Sequence, residues 1–336
     1  MKKDYTCKNY FFSQETVPDV CSLRQQFSKV YRLCETGQIV CELNISAGLK
    51  NKVEFGCIAD PHLNFADEID DLDEELYLTR RRRFYHTFNG ASALALKNSL
   101  EVCKYFDQTL VLGDIVDYCS HGAIVLAQKE LFSKVPDGIF IPGNHEYRKQ
   151  MDTGLPEKTS NEDKAHFLEK YWPHNFHYIK KEISKDLVIV GLDNGSGKFW
   201  NNTANLLEKD IKDARIKGQK IILIQHIPFR SEYEKDKASL ADWGFEIQEY
   251  DLTKGHGALL ECENNDEDSK VLGLIKNNGD IIKGILAGHL HSLFKSEIHS
   301  SYTTNAGKKY VSIPQYMLAS PIFVGFAGLA TKVAVY

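Results

Sequence analysis

Five short fragments of this chain share one form: an apolar run of strand length ends on carboxylate, amide or imidazole side chains. Asp60-Pro61-His62 follows residues 53–59, and Gly113-Asp114-Ile115-Val116-Asp117 follows 109–112. Gly143-Asn144-His145-Glu146 follows 139–141, Gln225-His226 follows 221–224, and Gly288-His289-Leu290-His291 follows 281–287. Short apolar runs bounded by turn residues read as buried strands. Strands alternating with helices through the first two-thirds argue for α/β layers, and a β-rich tail argues for a second sheet packed on the first. An open α/β sheet offers ligands at the carboxyl ends of its strands. Carboxylates and imidazoles delivered there by separate strands suit a pair of divalent transition metals.

Length alone, 336 residues, suggests about two domains. The fragments run from Asp60 to His291, however, so one shared site makes most of the chain one domain. The expected division is an N-terminal extension over 1–50 that packs on the core, and a main domain over 51–336. A net charge of −5 gives no support for a broad nucleic-acid surface. No stretch approaches the length of an apolar spanning helix, and the N-terminus lacks the apolar core of a signal peptide. Without such signals, a cytoplasmic, membrane-free protein with mainly reduced thiols is expected, and none of the eight cysteines forms a C-x-x-C pair.

Along the chain, Pro18-Asp19 could open a helix to about Cys34, and 38–45 alternates like a strand. The charged run from Asp67 through Arg80-Arg81-Arg82-Arg83 reads as a solvated helix continuing to about Phe106. Further helices are expected over 122–134, from Ser160 to about Tyr171, and from a Thr203 cap to Gly218. Residues 187–192 make a strand broken by Asp193-Asn194-Gly195. Residues 227–270 look polar and irregular, and the tail alternates between short strands and turns.

Taken singly, each fragment is weak. A Gly-Asp pair can be a simple turn, and a lone His226 can be a hydrogen-bonded core residue. On a strand, an H-x-H pair would place both imidazoles on one face. Together, the ordered set D-x-H, G-D-x-x-D, G-N-H-E, H and G-H-x-H resembles the calcineurin-like metallophosphoesterase superfamily over about residues 53–300.

That resemblance implies a four-layer sandwich of two mixed β-sheets flanked by α-helices, with a dimetal site at one edge. By motif position it implies Asp60, His62 and His291 on one metal, Asn144, His226 and His289 on the other, and Asp114 bridging both. His145 would act on the substrate, oriented by Asp117. The implied activity is hydrolysis of a phosphate mono- or diester by in-line attack of a dimetal-bridging hydroxide, with Mn, Fe or Zn as the ions. The closing G-H-x-H favours a small phosphorylated molecule or nucleotide as substrate. A protein serine/threonine phosphatase, acting on a phosphoprotein, is the second reading, and a non-catalytic metal-binding scaffold the third. A substrate-loop insertion is expected near 227–275. Arg148, Arg230 and His256 are candidates to bind substrate, and Tyr118, Phe229 and Trp243 to line the pocket.

Overall fold

The computed structural model describes residues 29–32, 38–65, 67, 70, 91–148, 160–230, 237–242, 246–251, 266–291, 293–321 and 328–336. Twelve of its strands form two six-stranded mixed sheets. The first contains β1 (Lys29–Arg32), β2 (Ile39–Ile45), β3 (Val53–Ile58), β4 (Thr109–Leu112) and β5 (Ile139–Ile141), joined by β14 (Leu329–Val335). Its order is β1-β2-β14-β3-β4-β5. The second contains β6 (Tyr178–Glu182), β7 (Leu187–Leu192), β8 (Lys220–Ile224), β11 (Ile282–Ala287), β12 (Phe294–Thr304) and β13 (Gly307–Met317). Its order is β12-β13-β11-β8-β7-β6. The five helices among the described residues are α1 (Ala91–Cys103), α2 (His121–Ala127, prolonged by a π-helical turn over Gln128–Phe132), α3 (Asn161–Glu169), α4 (Thr203–Lys217) and α5 (Asp266–Asn277).

The layers follow from side-chain alternation. Within β4, Leu110 and Leu112 face the second sheet and join Phe55, Ile141, Ile189, Ile222 and Leu286 in the central core. Val111, between them, points the other way and packs with Ile58, Phe140, Leu96 of α1, Ile124 of α2 and Leu168 of α3. The outer face of the second sheet does the same: Val188, Val190 and Leu223 meet Leu207 and Ile211 of α4 and Val271 and Ile275 of α5. Strands buried on both faces need few polar positions, which is why β5 and β7 are wholly apolar and β4 carries only Thr109 at its start. The result is an α/β fold of helix, sheet, sheet and helix.

Several expectations change. The helix expected to reach Cys34 fails over Lys29–Arg32, which is a strand paired antiparallel with β2; its earlier residues lie outside the described ones. The charged run 71–90 also lies outside them, and α1 begins at Ala91. Thr203 is the first residue of α4 rather than its cap: Asn202 precedes it in the left-handed region at φ 76° and makes no side-chain cap bond. Gly218 does end that helix at φ 71°. The stretch expected to be irregular contains an antiparallel hairpin, β9 (Lys237–Asp242) with β10 (Glu246–Asp251), and the start of α5. Its polar composition concealed the strands. The tail is not a series of short strands. Two of its strands have 11 residues each and belong to the second sheet, while β14 crosses back to the first.

Candidate metal centre

β3, β4 and β5 run parallel in one sheet, and β8 and β11 run parallel in the other. Their carboxyl ends meet at one edge, where backbone and side chains interlock. Asp60 N–H donates to the Gly113 carbonyl at 3.2 Å, and His289 N–H to Asp60 Oδ1 at 2.8 Å. The His226 Nδ1 lies 2.8 Å from the Leu112 carbonyl, which fixes the proton on that nitrogen and turns Nε2 into the site.

All of the carboxylates and most of the imidazoles here are sequestered from solvent. Asp60, His62, Asp117 and His226 are fully buried, and Asp114 nearly so. Potential ligand atoms among the described residues fall into three groups. Two share Asp114, with Asp60, His62, Asp114 and His291 in one and Asp114, His226 and His289 in the other; the third, His62, Asp117 and His145, overlaps the first at His62. The two oxygens of Asp114 divide between the first two. Oδ1 lies 3.2 Å from His226 Nε2, and Oδ2 lies 3.7 Å from His62 Nε2. Asn144 joins the His226 side, with its Oδ1 3.1 Å from His226 Nε2. His291 Nε2 sits 2.9 Å from His62 Nε2 and 3.5 Å from Asp60 Oδ1.

Backbone strain marks the same residues. Six non-glycine residues among the described ones have positive φ, and five of them are Asp60, His62, Asp114, His289 and His291, at 51°, 46°, 48°, 70° and 54°. Each such conformation costs on the order of 1–3 kcal/mol and persists only where the surroundings impose it. This corrects the strand geometry expected for H-x-H. Strand β11 ends at Ala287. Both histidines are then held in left-handed turns and aim at different groups, His291 at the Asp60 side and His289 at the His226 side. Gly143 supplies the room: a Cβ there would fall 2.7 Å from His226 Cε1 and closer still to Asp114 Oδ1.

The electrostatics are those of a cation site. Burial pushes Asp60 well above the usual carboxylate range against the opposing charge of His226. Its Oδ2 is buried with no hydrogen-bond partner. Burial also works to raise Asp114, but His226, His145 and His62 outweigh it and hold Asp114 well below that range. Burial and the neighbouring His226 push His289 down to about 3, and burial with His62 pushes His291 well below the ordinary histidine range. Those two rings are therefore neutral and available as ligands. An orphaned buried carboxylate oxygen beside neutral imidazoles fits divalent transition cations. These buried His/Asp groups are consistent with a dimetal site.

His145 stands next to both of the groups that share Asp114. Its Nδ1 lies 2.5 Å from the Asp117 carbonyl and 3.3 Å from Asp117 Oδ1, while Nε2 lies 3.8 Å from Asp114 Oδ2. Asp117 also faces His62 Nδ1 at 3.5 Å, so one carboxylate sits behind both rings and both Nε2 atoms face Asp114. Arg148 reaches the site, with one guanidinium nitrogen 3.1 Å from His145 Nε2.

A family model described as calcineurin-like phosphoesterase matches residues 53–293. The chain belongs to that family. It is a metallophosphoesterase hydrolase, and its activity is metal-dependent cleavage of phosphate esters. No curated protein matches the sequence. Among solved structures, a dimetal phosphatase from Danio rerio is 14% identical, with a TM-score of 0.45, covering 80% of this chain and 88% of its own. A purple acid phosphatase from yellow lupin (Lupinus luteus) seeds is 12% identical, with a TM-score of 0.43, covering 88% of this chain and 46% of its own. A putative 5'-nucleotidase from Staphylococcus aureus is 10% identical, with a TM-score of 0.38, covering 80% and 55%. The chain thus spans about half the length of the last two.

Other pocket expectations fare differently. Tyr118 is fully buried and donates its hydroxyl to Asn64 Oδ1 at 2.9 Å, so it supports the site from behind instead of lining a pocket. Phe229 is 2% exposed and packs beside Phe199 in the outer core of the second sheet, which removes it from any pocket wall. Arg230 is exposed. Trp243 and His256 lie outside the described residues. Sequence reasoning passed over Asn64, whose amide donates to Asp117 Oδ2 at 3.2 Å. It also gave no role to Glu146, which accepts from Val116 N–H at 2.8 Å and from Gly143 N–H, tying two ligand turns together. Glu146 stands inside the G-N-H-E fragment, so the signal was present; Asn64 has none beyond lying two residues after His62.

No helix among the described residues is long and apolar enough to cross a membrane.

Proposed function

We propose that the chain hydrolyses a phosphate mono- or diester of a small phosphorylated molecule or nucleotide, with Asp60, His62, Asp114 and His291 holding one divalent ion and Asp114, Asn144, His226 and His289 the other. The observation that carries this reading is Asp114, whose two oxygens face two separate ligand groups at 3.2 and 3.7 Å. When bound, such a pair of ions (Mn, Fe or Zn) supplies Lewis acidity and an acidified water. The chain's own residues do the rest. Asp117 accepts the Nδ1 proton of His145 and leaves Nε2 as the atom that meets the substrate. A proton on Nε2 can be delivered to the departing oxygen, and the Asp117 carboxylate at 3.3 Å steadies the imidazolium before transfer. Arg148, beside Nε2, is placed to offer its guanidinium to phosphoryl oxygens. Residues 227–275, with the β9–β10 hairpin, are the segment we assign to substrate selection, and Arg230 and His256 belong to that assignment. The boundary between an N-terminal extension over 1–50 and the catalytic domain is part of the same proposal. So is a cytoplasmic setting, supported by four buried free thiols at Cys41, Cys57, Cys103 and Cys119.

The test is a panel of phosphomonoesters, cyclic nucleotides and phosphopeptides, each with Mn²⁺ and again with a chelator. Chelator-sensitive turnover of small esters is expected. Turnover confined to phosphopeptides would replace this reading with a protein phosphatase. Two bound ions with no turnover of any ester would leave a non-catalytic scaffold.

A further inference from the structure

Asp193-Asn194-Gly195 follows β7 directly, and the reaction scheme above gives it no part. Each of the three residues grips a different portion of the metal centre. The Asn194 side chain reads the backbone around His226: its Oδ1 accepts from His226 N–H at 3.2 Å and Ile227 N–H at 3.0 Å, and its Nδ2 donates to the Ile227 carbonyl at 2.7 Å. Asp193 holds the other turn. Its Oδ2 accepts from the Tyr147 hydroxyl, from Trp200 Nε1 at 2.7 Å and from His177 Nδ1 at 3.0 Å. Its Oδ1 accepts from Gly195 N–H at 3.0 Å, which folds the tripeptide onto itself. Gly195 lets the two turns meet, since a Cβ there would fall 2.5 Å from the Gly143 carbonyl oxygen and 2.9 Å from the Tyr147 ring.

Asp193 and Asn194 are fully buried. A carboxylate with three side-chain donors and an amide using both its ends are costly to bury and lose more if one partner goes. Beyond the Trp200, His177 and Gly195 bonds that hold Asp193 in place, their hydrogen bonds run to the turns that carry Asn144, His145 and His226. None of those described here runs to Asp60, His62 or His291.

We infer that Asp193-Asn194-Gly195 is a positioning seat that sets the register of the 143–147 turn against the 225–227 turn, and so forms the His226-side ion site and aims His145. This rests on the ligand assignment of the proposed function. Asn194 acts through His226 on one ion, Gly195 seats the turn that bears Asn144, and Asp193 acts through Tyr147 on His145.

The experiment is equilibrium dialysis of the full chain against Mn²⁺ alone, with kcat and KM measured on the same preparations. Asn194→Ala is expected to weaken one of two Mn²⁺ sites by about 10–100-fold, the range seen when outer partners of metal ligands are lost, and to leave the other unchanged. Tyr147→Phe removes a single hydroxyl and is expected to keep both ions and KM while lowering kcat. Asn194→Asp retains both acceptor bonds and should recover more of the second site than Ala does. If Asn194→Ala does not fold, the Asp variant and Tyr147→Phe carry the test. Equal weakening of both sites, or variants that match the wild type in ion affinity and kcat, would overturn the seat. A wild-type protein that takes up fewer than two Mn²⁺ would instead overturn the ligand assignment beneath it.

Discussion

Asp114 is the residue on which the site turns. It joins the Asp60 group to the His226 group and also accepts the His145 N–H at 2.9 Å. Asp114→Asn keeps the shape but removes the charge that two cations would share. It should lower Mn²⁺ affinity by at least about 10–100-fold, measured by dialysis, and wild-type affinity would refute the bridging role. His145→Ala should behave in the opposite sense. Both ions and the thermal midpoint stay, while turnover of an ester with a poor leaving group falls by about 10²–10⁴-fold. Loss of an ion in that variant, or unchanged turnover, would remove His145 from the chemistry. The seven residues proposed as ligands stand out in the sequence because each lies at, or within a few residues after, the end of an apolar run. The residues around them could not. Asn64, Asn194 and Asp193 act through backbone and side-chain contacts between segments distant in the chain, and nothing local marks such a contact. Tyr118 and Phe229 were misread for a related reason. Adjacency to a ligand does not reveal which face of the chain is buried.

At the scale of elements, most strands were legible because burial on both faces leaves an unbroken apolar run, as in β5 and β7. β1, β9 and β10 carry polar sequences, and only pairing with a partner strand makes them strands. Turn chemistry was partly visible. The Ser160 hydroxyl accepts from Asp163 N–H at 3.1 Å, as the capping pattern suggested. The left-handed conformations of Asp60, His62, Asp114, His289 and His291 gave no sequence signal, since even Asp and His, which adopt them more readily than most non-glycine residues, do so at few of their positions. Two glycine substitutions separate the roles of turn and helix. Gly143→Ala would press a methyl group onto Asp114 and His226, so the expected result is loss of bound Mn²⁺ together with a lower urea midpoint. Gly273→Ala in α5 meets nothing within 4 Å and should stabilise the chain by about 0.5–1 kcal/mol, read from the same urea curves. A neutral Gly143→Ala would contradict the packing described for these turns.

For the whole molecule, the buried charges make stability depend on pH once metal is stripped away. Burial would lower His226, but Asp114 beside it prevails and raises it from 6.5 to about 9. Burial, reinforced by Asp114, raises Glu146 from 4.5 to about 8. Both folded values lie above the unfolded ones, so the folded chain keeps protons that the unfolded chain gives up. The stability linked to them is complete below the ordinary values and is lost as pH rises through about 8 and 9. Chelator-treated protein should therefore melt at a lower temperature near about pH 9.5 than near about pH 7. Glu146→Gln should flatten that fall, and a midpoint that rises with pH would contradict it. A different consequence follows from the path of the chain. The strand that comes last in the order, β14, lies in the interior of the first sheet, parallel to β2 on one side and antiparallel to β3 on the other. During synthesis on a ribosome, β2 and β3 must therefore wait with an unfilled gap between them until the chain has been made through Val335. The segment bearing Asp60 leaves β3, so the nascent chain cannot complete its first sheet around that residue before the final strand arrives. A chaperone that shields open strand edges would have its longest task here, and a message cut short before Leu329 would yield a product whose sheet stays split.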